Sequence, residues 1–472
     1  MPGLKLVSAG TIFLVLFLIC GPSILYAKDG EANAKKRPKI ALVLGGGGAR
    51  GAAHCGVLKV LEANKVPIDF IVGTSMGSIV GGLYAAGYSP EEIEKLFNEI
   101  DWRDLLSDRP TEDVLSFRNK KDFQKLSNLE MGIKNGKITF PRGIISGQKL
   151  DFMLHKLTIH TLDIPSFDQL RVPFRAVATD AVTGAMVVFD HGSLAESIRA
   201  SMSVPGAFPP VKAGGKLLID GFLVMNVPVQ IAKQWGADII IAVDVGAGLM
   251  KEEQLKSLID MTNQMINILS QKNVDESLKL LTDRDLLIKP DLEGIGAGDF
   301  VKAPEAVKRG EAAALTQAEA IKRYAVPATE YQEFLAHQRV RDRNPIMIGF
   351  VDIAKPARVN AQMIKGQIKT QPGKPLDFDQ LERDLTHVYA IGDFETVGFS
   401  IKEEDGHKGL VLNTQEKSWG PKYLRFGLNL QSDFGGANSY TTTLDYRHTQ
   451  LNALGGRMEG GGIVRPIFRD RK

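Results

Sequence analysis

An apolar run from Ile68 to Val72 stops on Gly73-Thr74-Ser75-Met76-Gly77 and resumes as Ser78 to Ala86, a stretch of mostly small side chains closed by Gly87. No other feature limits the fold as much. A buried strand, a turn too tight for ordinary residues and a helix able to pack closely make a strand–turn–helix unit that projects the Ser75 hydroxyl. The helix start places backbone N–H groups and the positive end of its dipole beside that hydroxyl. The competing interpretation is a plain glycine-rich connection. The same grammar occurs earlier: Lys39 to Leu44 ends in Gly45-Gly46-Gly47-Gly48-Ala49-Arg50-Gly51, and Val57 to Ala63 continues as helix. Further β-like runs at Phe174–Ala178, Met186–Phe189, Lys216–Ile219 and Ile239–Val243 alternate with helical stretches. Such alternation predicts an α/β open sheet with flanking helices over 39–325.

A serine nucleophile needs a base, and the histidines supply no obvious one. After Val177 the domain offers only His191, while His337, His387, His407 and His448 lie in or beyond a following linker. His54, His155 and His160 read as packing or surface residues. A carboxylate is the alternative. Asp220 ends the run Leu217-Leu218-Ile219 just before Gly221, where an open sheet exposes functional groups and where Asp also serves as a turn former. Beside Ser75, and partly buried, it would accept the serine proton. The backbone N–H groups of Gly46, Gly47 and Gly48 are candidates for an oxyanion hole, with Arg50 adding positive charge or a structural contact. The same glycines spell G-x-G-x-x-G from Gly46 to Gly51, which keeps dinucleotide binding open. That fingerprint wants an acidic residue closing the second strand, whereas Asp69 opens it. A Walker phosphate loop is excluded, since no Lys-Ser or Lys-Thr follows the glycines.

The chain has 472 residues, about three typical domains. Its 58 basic and 55 acidic residues give a net charge of +3, too little and too evenly spread for a nucleic-acid surface. Two cysteines, Cys20 and Cys55, make no disulfide framework. Lys5, the apolar run Ile12–Cys20 and Leu25-Tyr26-Ala27 have the layout of a secretory signal peptide over 1–27, too short an apolar stretch to span a membrane. Export to the outer membrane or beyond is the expectation. Residues 28–38 and 326–343 read as linkers. Between them and the C-terminus, 344–416 shows a β-α-α-β-β order: a strand over Met347–Ile353, helices near Asn360–Ile368 and Phe378–Tyr389, and strands at Thr396–Lys402 and Gly409–Thr414. From 421 to 472 the pattern becomes alternating. Leu424, Phe426, Leu428 and Leu430 oppose Arg425, Asn429 and Gln431, and Tyr440 to Arg447 repeat the scheme. Strands of this kind suit a membrane barrel wall or an amphipathic soluble hairpin. The tail from Gly460 lacks evident strand character, and the stretch has about half the length that eight strands of ~10 residues need.

Together these residues resemble the patatin-like phospholipase family. Gly46–Gly51 looks like its oxyanion loop, Gly73–Gly77 its nucleophile elbow, and Asp220-Gly221 the start of its Asp-Gly-Gly/Ala element. Ala200-Ser201-Met202-Ser203-Val204-Pro205 and Phe208-Pro209-Pro210 are also similar. One departure is Phe222, where the family usually has a small residue. The resemblance implies a patatin-like open sheet whose Ser75 nucleophile and Asp220 general base hydrolyse acyl esters of lipids. It implies no metal or organic cofactor, a phospholipid or other lipid ester as substrate, contact with a membrane surface and no nucleic acid. Oligomeric state is open. The later segments resemble a POTRA module and the start of an outer-membrane barrel. A different class stays in view, a secretion or membrane-assembly component whose α/β part binds without turnover.

Overall fold

Strands β1 (Ile40–Leu44) and β2 (Phe70–Thr74) are buried along their whole length, so they read as unbroken apolar runs rather than alternating ones. The computed structural model describes residues 37–110, 114–115, 130–341, 344–432, 437–452, 455–464 and 467–469. The expected signal peptide and nearly all of the 28–38 linker lie outside them. Residues Lys39–Lys472 form one compact unit.

The remaining strands of the N-terminal part are β3 (Glu130–Lys134), β4 (Lys137–Thr139), β5 (Phe174–Asp180), β6 (Met186–Phe189), β7 (Val211–Ala213), β8 (Lys216–Asp220), β9 (Ile239–Val243) and β10 (Leu286–Ile288). All but β3 and β4 join an eight-stranded sheet in the order β10-β9-β1-β2-β5-β8-β7, with β6 on β5. The ladders from β10 through β5 are parallel, and β8 runs antiparallel to β5. Alternate residues of β1 feed two cores. Ile40, Leu42 and Leu44 pack with Leu58, Leu61, Val80 and Leu83 of α1 (Ala53–Ala63) and α2 (Met76–Ala85). Ala41 and Val43 pack on the other face with Val177, Val229 and Val274. Register then brings distant residues together: Thr74 pairs with Val177, and the next residue, Ala178, pairs with Asp220.

In the C-terminal part, β11 (Met347–Ile348) and β12 (Phe350–Ile353) divide the single strand expected there. Gly349 separates them, and β11 pairs with β13 (Lys374–Pro375) while β12 joins β15 (His407–Glu416) and β14 (Phe394–Glu404) in the order β12-β15-β14. Helices Ala361–Lys365 and Phe378–Tyr389, with the short β13 between them where no strand was expected, pack around Leu381, Leu385, Phe394, Phe399 and Leu410. Phe152, from helix Gln148–Thr158 of the α/β part, enters this core, and the Gln148 amide clasps the backbone of Val397 on the edge strand β14.

The stretch 326–343 is not a bare linker. It carries helix Ala328–Gln338, held by Gln338 donating to the Tyr84 and Tyr88 carbonyls. The last strands are β16 (Lys422–Ser432), β17 (Ala437–His448), β18 (Met458–Val464) and β19 (Ile467–Arg469). The glycines at 460–462 therefore lie inside a strand, because ladder pairing with Leu444 to Tyr446 supplies what side-chain propensity lacks. β16 also pairs with β3, so the β3–β4 hairpin extends this sheet. Two of its arginines turn inward. Arg447 is 5% exposed and Arg425 9%, while Phe426 and Leu444 are 40% and 44% exposed. That is opposite to a soluble hairpin with an apolar inner face. Among the described residues no helix is long and apolar enough to cross a membrane.

Candidate active site

β2 ends at Thr74 and α2 starts at Met76, so the whole change of direction falls on Ser75, with φ 54° and ψ −122°. This strained turn is locked from both sides. The Ser75 N–H donates to Ser201 Oγ (2.9 Å), which donates in turn to the Val177 carbonyl (2.6 Å). Gly77 permits the close crossing of β1, since a Cβ there would lie 2.2 Å from the Leu44 carbonyl oxygen.

Ser75 Oγ donates to Asp220 Oδ2 at 2.6 Å, across 145 positions of sequence. Ser75 is 6% exposed and Asp220 fully buried. Burial pushes the Asp220 carboxyl up to about 7, against the opposing pull of hydrogen bonds from Ser75 Oγ and the Phe222 N–H. The Phe222 N–H holds Oδ1 at 2.9 Å, so the large side chain at this position leaves the backbone clamp on the carboxylate intact. Thr179 Oγ1 fixes the Asp220 carbonyl, and the Asp220 N–H donates to Ser203 O within the Ala200–Pro205 stretch. Among the described residues no histidine hydrogen-bonds either Ser75 or Asp220. His54 is fully buried, its Nε2 2.8 Å from the Gly45 carbonyl oxygen, and burial lowers its pKa to about 4, which keeps it neutral.

The glycine loop approaches the serine closely: a Cβ on Gly46 would lie 2.9 Å from Ser75 Cβ. Its expected donors divide into two groups. The Gly46 N–H is taken by Asn226, at 3.0 Å from Oδ1, and is not free for an oxyanion. Arg50 is also committed. Its guanidinium donates to the carbonyls of Val245, Gly246, Leu292 and Ile295, the structural contact rather than the charge donor. The N–H groups of Gly47 and Gly48 have no partner among the described residues. Sequence reasoning missed Asn226 and Thr179, and named Ser201 only within a motif, without its role. The neighbouring motif residues were visible, but which of their polar side chains turn inward depends on the register of β8 against β5.

A patatin-like phospholipase family model matches residues 42–233. The human patatin-like phospholipase domain-containing protein 6 is 36% identical over 211 residues, 44% of this chain and 13% of its own length. The lysophospholipase NTE1 of Debaryomyces hansenii is 33% identical over 217 residues, 46% of this chain and 12% of its own. The chain thus spans only about an eighth of these relatives' length. The crystal structure of VipD from Legionella pneumophila is 16% identical and covers 60% of this chain and 67% of its own, with a TM-score of 0.34, too low a likeness to bear on function. The match runs from within β1 into helix Val229–Gln234 and includes Ser75, the glycine loop and Asp220: over these residues the chain contains a patatin-like phospholipase domain.

Proposed function

We propose that this domain is a lipid acyl hydrolase that cleaves carboxylic ester bonds of phospholipids through Ser75 and Asp220. The observation that carries the proposal is the 2.6 Å hydrogen bond from Ser75 Oγ to a buried Asp220 carboxyl pushed up to about 7. A base poised near neutrality, within reach of the hydroxyl and with no histidine between, suits direct proton abstraction. Ser75 Oγ attacks the ester carbonyl carbon as its proton passes to Asp220 Oδ2. The N–H groups of Gly47 and Gly48 are the available donors for the developing oxyanion. Collapse expels the alcohol, which takes the proton from Asp220. Water then attacks the acyl-enzyme with Asp220 as base again, and the fatty acid leaves. The phospholipase and lysophospholipase names of the relatives support a lipid ester as substrate.

A fluorophosphonate probe tests the nucleophile. Labelling of folded protein at Ser75, lost in Ser75→Ala, is expected. Folded protein that stays unlabelled would favour the non-catalytic binding module.

The outlying segments are part of the same proposal. Two helices packed with a β12-β15-β14 sheet support a POTRA-like module over 344–416. Inward Arg425 and Arg447 with exposed Phe426 and Leu444 support a barrel-like β segment. Residues 1–27 support export to the outer membrane or beyond. Secretion of a reporter fused after residue 38 tests the last point; retention in the cytoplasm would refute it.

A further inference from the structure

Between the base and the glycine loop lies a short bridge, Gly221–Asn226, that contacts both. Its first end clamps Asp220 through the Phe222 N–H. Its last residue, Asn226, is 3% exposed and holds Gly46 through both side-chain amide atoms and its main-chain carbonyl. Oδ1 accepts from the Gly46 N–H at 3.0 Å, Nδ2 donates to the Gly46 carbonyl at 3.2 Å, and the Asn226 main-chain carbonyl lies 3.3 Å from the same N–H. Thr74 Oγ1, one residue before the serine, donates to the Met225 carbonyl at 2.9 Å. Asn273, on helix Leu258–Leu278, supports the bridge from behind. Its Oδ1 accepts from the Asn226 N–H, and its Nδ2 donates to the carbonyls of Phe222 and Leu223.

Resting on the Ser75–Asp220 reading above, we infer that Asn226 is a positioning residue for the oxyanion loop, with Asn273 as its support. A side-chain amide reproduces one step of a β ladder, donor and acceptor together, and so fixes the Gly46 peptide plane as well as its place. Occupying the Gly46 N–H leaves Gly47 and Gly48 as the loop's open donors and holds the loop against Ser75 and the bridge. The fit is tight: a Cβ on Gly46 would lie 2.7 Å from Asn226 Oδ1. A carboxylate at this position offers only acceptors and would face the Gly46 carbonyl; an alanine offers neither group.

The test uses the full chain with Asn226→Ala, Asn226→Asp and Asn273→Ala, measured for turnover on phosphatidylcholine vesicles and for hydrogen exchange over residues 44–51. Misplacing donors that act only in the transition state lowers kcat, by about 100-fold, with KM within about twofold of the parent. Exchange over the loop should quicken in the same variants. Should Asn226→Ala fail to fold, Asn273→Ala, which leaves the Asn226 side chain in place, carries the same test with a smaller drop in kcat and the same direction of exchange. Unchanged kcat in the folded variants, or unchanged exchange over the loop, would overturn the assignment. Absence of turnover in the parent protein would instead refute the hydrolase reading, and the exchange would still decide the clamp.

Discussion

Burial of the Asp220 carboxyl suits the proton abstraction proposed for it and is costly to the fold. Burial keeps its carboxyl at about 7, whereas an unfolded chain ionises it near ~3.9. Between those values the folded protein binds the extra proton, so stability falls as pH rises through that window and stays reduced above it. Asp220→Asn should therefore be more stable than the parent at about pH 8 and no more stable at about pH 4, by chemical denaturation; equal stability at the higher pH would contradict this. The same ionisation governs rate. Turnover needs the carboxylate, so kcat/KM should rise with pH to a plateau with a midpoint near the cited value of about 7, and a flat profile would exclude Asp220 as the base. Ser75 and Asp220 could be picked out as candidates in the sequence, Ser75 in the glycine-flanked turn just after β2 and Asp220 as the last residue of β8 before Gly221. Asn226 could not, since a polar residue two positions before Pro228 looks like any loop residue until the Gly46 backbone is placed against it.

The glycine loop shows what an element adds to its residues. Arg50 ties it to the loops at 245–246 and 292–295 through four carbonyls. A point charge cannot replace that fork. Arg50→Lys is thus expected to lower the melting temperature and kcat nearly as much as Arg50→Met, whereas rescue by lysine would mean that charge, not geometry, is what the position supplies. Gly77→Ala drives a Cβ to 2.2 Å from the Leu44 carbonyl oxygen, and should cost about 3 kcal/mol or more by separating β1 from α2; a variant with the parent's denaturation midpoint would contradict the close crossing. The buried strands β1, β2 and β9 were readable from their runs because both faces of the sheet are covered. The β3–β4 hairpin was not, because its sequence has no apolar run and it is held by pairing with β16, far along the chain.

At the scale of the molecule the α/β part and the last strands meet on Glu130. Burial alone would raise its pKa, but Lys417 and Arg447, each 2.8 Å from a carboxylate oxygen, lower it overall. The stability this ion cluster contributes is present above the usual glutamate range and is lost as pH falls below it. Glu130→Ala removes the carboxylate shared by the buried Arg447 and the part-buried Lys417, a loss of about 3 kcal/mol, felt in the β3–β16 contact rather than at Ser75. Limited proteolysis should then cut the C-terminal strands sooner while turnover persists; unchanged proteolysis would contradict the coupling. None of this could be read from Glu130 itself, an isolated acidic residue in sequence. Every role proposed for the site depends on ester hydrolysis at one serine. Its most direct test is fatty-acid release from phospholipid vesicles by the parent protein, Ser75→Ala and Asp220→Asn. Release by the parent, falling by at least about 10³-fold in both variants, is the predicted result; release by either variant at the parent's rate would contradict the account.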